Sequence, residues 1–288
     1  MIAVLAVASA CSGQTESASP SSDSSTPESS ATSTGAQSAA VASAPLDVSH
    51  IHAAVRNPTD QRLLIASHEG LFVQGESGFS RQGPVMDLMG FAVAPDGVYY
   101  ASGHAGPGSD LPEPLGLLTS TDSGQTWTVR SRGGESDFHA LAAGPGLIAG
   151  FDGTLRISTD GENWQSGSIS APPYAVAVTP GGRILATTSA GLLSSTDQAA
   201  TWSLVQTPAT LLTVAAVNED TLAAATTEGT LALSRDGGTS WTTGPRSLGQ
   251  VSAVSATEAA DQVEIVAVVG TDVFTTTDLG ASTTHVVG

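Results

Sequence analysis

The chain has no lysine. Its positive charge is confined to nine arginines, set against 27 acidic residues, for a formal net charge of −18 over 288 residues. A nucleic acid or an anionic membrane surface would repel such a chain, so neither is expected as a direct partner. Cysteine is nearly absent as well: Cys11 stands alone, which excludes an internal disulfide. The apolar segment over residues 1–10 is too short to span a bilayer, which takes about 20 residues. No helical periodicity competes along the chain, and there is no Gly-x-Ser-x-Gly elbow, phosphate loop or dinucleotide fingerprint. Tryptophan occurs four times, always inside one recurring motif.

The first residues, Met1 to Ala10, are small and apolar and end in Ala8-Ser9-Ala10-Cys11. An apolar run closing on small residues reads as the end of a secretory signal. A lone cysteine directly after it resembles the bacterial lipobox, with Ala8 where leucine is usual, and makes Cys11 the expected lipidation site. No basic residue precedes Cys11, so the basic part of a signal is missing and the true start is expected upstream. Residues 12–45 are Ser, Thr, Ala, Gly, Gln and Pro with a few acids, and hold almost nothing large enough to pack. They are expected to form a disordered tether between residues 1–11 and a folded domain over 46–288. The chain is therefore expected outside the cytoplasm, lipid-anchored at the surface of a bacterial membrane, and monomeric.

The motif runs Ser120-Thr121-Asp122-Ser123-Gly124-Gln125-Thr126-Trp127. It returns from Ser158 (Asp160, Trp164), Ser195 (Asp197, Trp202) and Ser234 (Asp236, Trp241), and in worn form from Thr276 (Asp278, no tryptophan). The starts lie 38, 37, 39 and 42 residues apart. A fixed signature at a period near 40 marks a repeat architecture. Each unit reads as four short runs of small and β-branched residues bounded by Gly, Asp, Asn or Pro. In the third unit, strands are predicted over Asp137–Ala143, Leu147–Phe151, Leu155–Ser158 and Trp164–Ile169. One unit without the motif comes first, and the second unit, which carries the first motif, has an insertion over Gly103–Leu115. Six four-stranded units predict an all-β, six-bladed β-propeller, because radial repetition protects most strand edges.

Ser-x-Asp-x-Gly-x-x-Trp resembles the Asp-box, or bacterial neuraminidase repeat, of sialidases and many other propellers. The resemblance implies a hairpin between the third and fourth strands of each blade. The carboxylates of Asp122, Asp160, Asp197, Asp236 and Asp278 would then accept backbone N–H bonds across the turn, with the tryptophans packed between sheets. The box is a structural clasp in nearly all its bearers. Across the folded region, the sequence is also similar to bacterial secreted propellers described as glycosyl hydrolase-like, which implies a glycosidase as the alternative function.

Five of six histidines fall in the first three units: His50, His52, His68, His104 and His139. In register, His52 and His139 lead into first strands, where the second unit has Met89. His68 and His104 follow second strands, and Asp152 holds the like place in the third unit. The start of strand one and the end of strand two share one end of a blade, opposite the boxes. His50 and His52, two residues apart, share a side of their strand. These imidazoles with Met89 are expected to bind copper or zinc through His50, His52 and His139, with His68 and His104 nearby. Asp137, Asp47 and Glu69 are available to orient the rings. For the glycosidase alternative, Asp87, Asp110, Glu113, Asp137 and Asp152 are the candidate carboxylates on this face. The arginine cluster and tyrosine of a sialidase cannot be assembled, and Arg156 is expected on the box side. The partner is thus expected to be a small ligand, a metal ion or a glycan.

Overall fold

A computed structural model describes residues 46–288; the expected lipidation site at Cys11 and the expected tether over 12–45 lie outside the described residues. Twenty-four strands form six four-stranded antiparallel sheets, each built from consecutive strands. Blade 1 is β1 (Ile51–Arg56), β2 (Leu63–Ser67), β3 (Gly70–Gly75) and β4 (Gly78–Gln82). Blade 2 is β5 (Met86–Val93), β6 (Tyr99–Ala105), β7 (Leu117–Ser120) and β8 (Thr128–Ser131). Blade 3 is β9 (Ala140–Gly144), β10 (Leu147–Phe151), β11 (Leu155–Ser158) and β12 (Gln165–Ser166). Blade 4 is β13 (Pro173–Val178), β14 (Ile184–Thr188), β15 (Gly191–Ser195) and β16 (Ser203–Val205). Blade 5 is β17 (Leu211–Ala216), β18 (Leu222–Thr226), β19 (Thr230–Ser234) and β20 (Thr242–Ser247). Blade 6 is β21 (Val251–Ala259), β22 (Gln262–Val269), β23 (Asp272–Thr276) and β24 (Thr284–Val287). The first strand of each blade packs beside those of its two neighbours, so these six line the axis of a six-bladed propeller.

The second strands show why the sequence alternates so little. β2 (Leu-Leu-Ile-Ala-Ser), β14 (Ile-Leu-Ala-Thr-Thr) and β18 (Leu-Ala-Ala-Ala-Thr) are buried at every position. Each is covered on both faces by neighbouring blades, which selects a continuous apolar run instead of alternation. One core cluster fills each seam. Leu64, Leu71 and Val73 meet Met86, Leu88 and Tyr99 between blades 1 and 2. Leu117 meets Phe138 and Ile148 between blades 2 and 3. Each such large side chain contributes about 1.5–3 kcal/mol when fully buried. The last seam joins Ile51, Leu63 and Ile65 to Val266, Val268, Val273 and Val287. Among the described residues no strand is shared across it. Besides apolar packing, it is crossed by a two-pronged Arg56–Glu264 ion pair (2.7 and 3.0 Å) and by Ser255 Oγ donating to Ala54 O at 2.7 Å.

The five box turns are built alike at the opposite end from the histidines. Asp122 Oδ1 accepts from Thr126 N at 2.9 Å, while Ser120 Oγ donates to Asp122 and accepts from Gly124 N at 2.9 Å. Asp160, Asp197, Asp236 and Asp278 accept backbone N–H groups in the same way. The glycine place needs positive φ, and Ala199 adopts it at +64°. The tryptophans are half-buried. Trp164 stacks on Phe138 at 5.0 Å, and its Nε1 donates to Ser131 Oγ at 2.9 Å.

Three boundaries differ from those read off the sequence. β9 starts at Ala140, leaving Asp137 to His139 in the segment before it. β12 is two residues long: Gly167 N still reaches Leu155 O, and Ser168 N then turns to Ala199 O of the next blade. β6 runs on to Ala105, so the inserted loop of blade 2 is residues 106–116. This loop is pinned down: Leu115 is fully buried, its N–H reaches Gly103 O, and Gly116 N reaches Ser136 O.

Candidate metal centre

The first strands carry a device that the sequence does not announce. In β1, β5, β13, β17 and β21 the register slips by a β-bulge near the start. The slip falls at His52 in β1, at Leu88-Met89 in β5, at Tyr174 in β13 and at Ser252 in β21. A bulge re-aims the side chain it releases. His52, Met89, Tyr174 and Ser252, together with His139 of blade 3, line an axial cavity of about 160 Å³. The β5 bulge depends on Gly103, whose φ is +143°. A Cβ there would stand 2.0 Å from Asp87 O and 2.9 Å from Met89 N.

Three histidines of blade 1 form one group. The rings of His50 and His52 have centroids 4.7 Å apart, His52 and His68 4.8 Å, and His50 and His68 5.2 Å. Asp87 of blade 2 reaches across the seam: its Oδ1 is 3.1 Å from His52 Nε2, and its Oδ2 is 3.7 Å from His68 Nε2. The ligand atoms of His52, His68 and Asp87 all lie within 4.8 Å of one another. His52 is held to 10% side-chain exposure, while His68 keeps 43%. Burial pushes the His52 imidazole down to about 4, against the attraction of Asp87 and helped by the two neighbouring rings. His52 therefore stays neutral at physiological pH, the state a metal ligand needs. Behind His68, Ser49 Oγ lies 3.4 Å from Nδ1 and donates to Glu69 Oε1 at 2.6 Å. Burial acts to raise the Glu69 carboxyl, but the bonds from Ser49 win and hold it below its ordinary value.

The remaining two histidines gather elsewhere. His104 Nε2 and His139 Nε2 approach Asp137 Oδ2 at 3.2 and 2.8 Å. The other ring nitrogen of His104 is hydrogen-bonded to Glu113, whose second oxygen accepts from Ala105 N at 2.8 Å. The bond to Glu113, reinforced by Asp137 and Asp87 against some burial, raises the His104 imidazole. It lowers the Glu113 carboxyl in turn.

The ligand grouping expected from sequence is thus corrected. His50, His52 and His68 gather with Asp87, whereas His139 sits with His104 around Asp137. The reason is the seam: the segment after the second strand of one blade lies beside the segment that leads into the first strand of the next. The sequence marks Asp87 only as a candidate acid; its alignment with Asp137, two residues before Met89 and His139, is the signal that could have placed it. Met89 lines the axial cavity beside His52 and His139. Asp47 and Asp110 are exposed. Asp152 is 4% exposed and tied to Arg156 Nε at 2.6 Å and Ser136 Oγ at 2.5 Å. Those bonds outweigh burial and lower its carboxyl. Arg156, expected on the box side, lies at the other end of β11 because it pairs with Asp152 after β10.

Residues 152–286 are similar to the family described as DUF6242 beta propeller domain, a match covering just under half of the chain. No curated protein matches the chain in sequence. Among solved structures, the extracellular domain of BT4673 from B. thetaiotaomicron is similar at a TM-score of 0.56 and 12% identity. That match covers 85% of this chain and 34% of the other, so the chain spans about a third of that protein. A gluconolactonase from Xanthomonas campestris is similar at a TM-score of 0.60 and 13% identity, covering 77% and 84% of the two chains. YCF48 from Cyanidioschyzon merolae is similar at 0.50 and 15%, covering 84% and 86%. At such identities the likeness is one of fold, and the chain is a β-propeller protein of the kind on which unrelated functions are built.

Proposed function

We propose that the chain is an extracytoplasmic, membrane-tethered binding propeller that holds a zinc or copper ion at the seam between blades 1 and 2. The ligands are His52, His68 and Asp87, with His50 beside them. One observation carries this reading: three ligand atoms from separate segments, two on blade 1 and one on blade 2, lie within 4.8 Å of one another. Bonds of about 2.0–2.1 Å to zinc would place ligands roughly 3.3 Å apart, so the group has to close by roughly an ångström or more. The half-exposed His68 ring can make that move at little cost. Imidazole and carboxylate donors suit zinc and copper, and Met89 at the cavity wall offers a soft sulfur to copper. The −18 charge of the chain concentrates cations around it. The placement outside the cytoplasm rests on the signal-like residues before Cys11, and agrees with the extracellular station of BT4673, which shares the fold.

The test is elemental analysis of the purified chain after loading with zinc or copper and removal of excess. The wild type should retain metal that a His52→Ala/His68→Ala variant loses. Equal metal in both would sink the reading.

A further inference from the structure

The seam between blades 2 and 3 repeats the donor arrangement of the seam before it. Asp87, the second residue of β5, meets His68, which follows β2; Asp137 leads towards β9 and meets His104, near the end of β6. The two carboxylates precede matching segments, Asp87-Leu88-Met89 and Asp137-Phe138-His139, in which Leu88 and Phe138 are both fully buried. Each carboxylate is flanked by two imidazole Nε2 atoms. At Asp137 both converge on the same oxygen, Oδ2, at 3.2 and 2.8 Å.

A second observation points to a ligand. The other oxygen, Asp137 Oδ1, is buried and has no hydrogen-bond partner. A buried acceptor left unpaired costs about 1–3 kcal/mol, more when charged, and calls for an explanation such as an ion. Glu113, on the far nitrogen of His104, completes the carboxylate–histidine arrangement that orients metal-ligating rings.

We propose that this seam is a second transition-metal site, with His104 Nε2, His139 Nε2 and Asp137 as ligands and Glu113 as the positioning residue behind His104. His139 is 60% exposed, so its ring turns freely onto the ion. The residues are distinct from those of the first site, and either site can stand without the other. Asp87 and His104 are cross-strand partners on β5 and β6, which makes the two sites neighbours along one face.

The experiment counts zinc per chain by elemental analysis in the wild type, His139→Ala, Asp137→Asn and His52→Ala/His68→Ala, with thermal melts of each metal-free protein. The wild type should hold two zinc ions, and each variant one. Should Asp137→Asn fail to fold, His139→Ala, whose ring is exposed, carries the test. One ion in the wild type, lost with His52 and His68 and kept in His139→Ala and Asp137→Asn, overturns this site and leaves the first. Two ions retained in both His139→Ala and Asp137→Asn overturn it as well. Zinc lost with His139 and kept without His52 and His68 upholds this site and removes the first.

Discussion

At the box end of the propeller, each of five aspartates is surrounded by donors from its own hairpin: a serine or threonine two residues back and a backbone N–H three or four residues on. At the histidine end, Asp87 faces two imidazoles of the neighbouring blade, and Asp137 faces one from the neighbouring blade and one, His139, from its own segment. Both ends contain carboxylates in polar company, yet they do opposite things. A box aspartate is satisfied by its own hairpin, so its turn is specified locally. Asp87 meets His52 and His68, and Asp137 meets His104, only when the blades are in register, and these partners are side chains that a metal can take over.

The sharpest way to break the difference is Gly103→Ala. Its Cβ would collide with Asp87 O, and its φ of +143° is a conformation that alanine rarely adopts. We expect a loss of about 3 kcal/mol or more in urea unfolding, with metal uptake lost as the β5 bulge shifts. Ser120→Ala probes the other end. It removes a buried hydroxyl that bonds Asp122 and Gly124 N, so it should cost about 1–3 kcal/mol and leave metal content unchanged.

Acid separates the two ends by pH. His52 is lowered by burial to about 4, so the folded chain keeps it neutral where the unfolded chain protonates it near 6.5. Its stabilisation is present above pH 6.5 and is lost as pH falls towards 4. Hydrogen bonds from Thr126, Thr201 and Ser282 lower Asp122, Asp197 and Asp278 to about 2, so their contribution persists above pH 3.8 and fades as pH falls towards 2. Melting temperature of metal-free protein against pH should therefore fall in two stages. His52→Ala should abolish the upper stage and spare the lower. The smallest effect is expected for Ala199→Gly. Release of the +64° φ gains about 1–2 kcal/mol, loss of a buried methyl costs about 0.8 kcal/mol, and the net should be a stabilisation of around 1 kcal/mol or less.

The same contrast explains how much the chain itself discloses. Box, blade and ring are legible because Ser120 to Trp127 and its copies encode a turn within eight residues, and that turn sets the register of every strand around it. Register in turn assigns the histidines to one end. Which imidazole meets which carboxylate is hidden, because it depends on bulges and on packing across seams. The bulge at His52 arises from hydrogen bonding between β1 and β2, and the pairing of His104 with Asp137 arises from where blade 3 settles against blade 2.

The seam between blades 1 and 6 has a mechanical consequence. With every described sheet made from consecutive strands, the contacts described across this joint come from side chains: a valine-rich patch, an arginine fork and a serine. Leu46 and Val48, where the chain enters the domain, pack against that same patch. A pull on Leu46 is thus delivered first to the joint that, among the described residues, no strand or loop crosses. Leu46 and Val48 would peel away in shear before any sheet is asked to bear the load, making the clasp of the ring also its fuse.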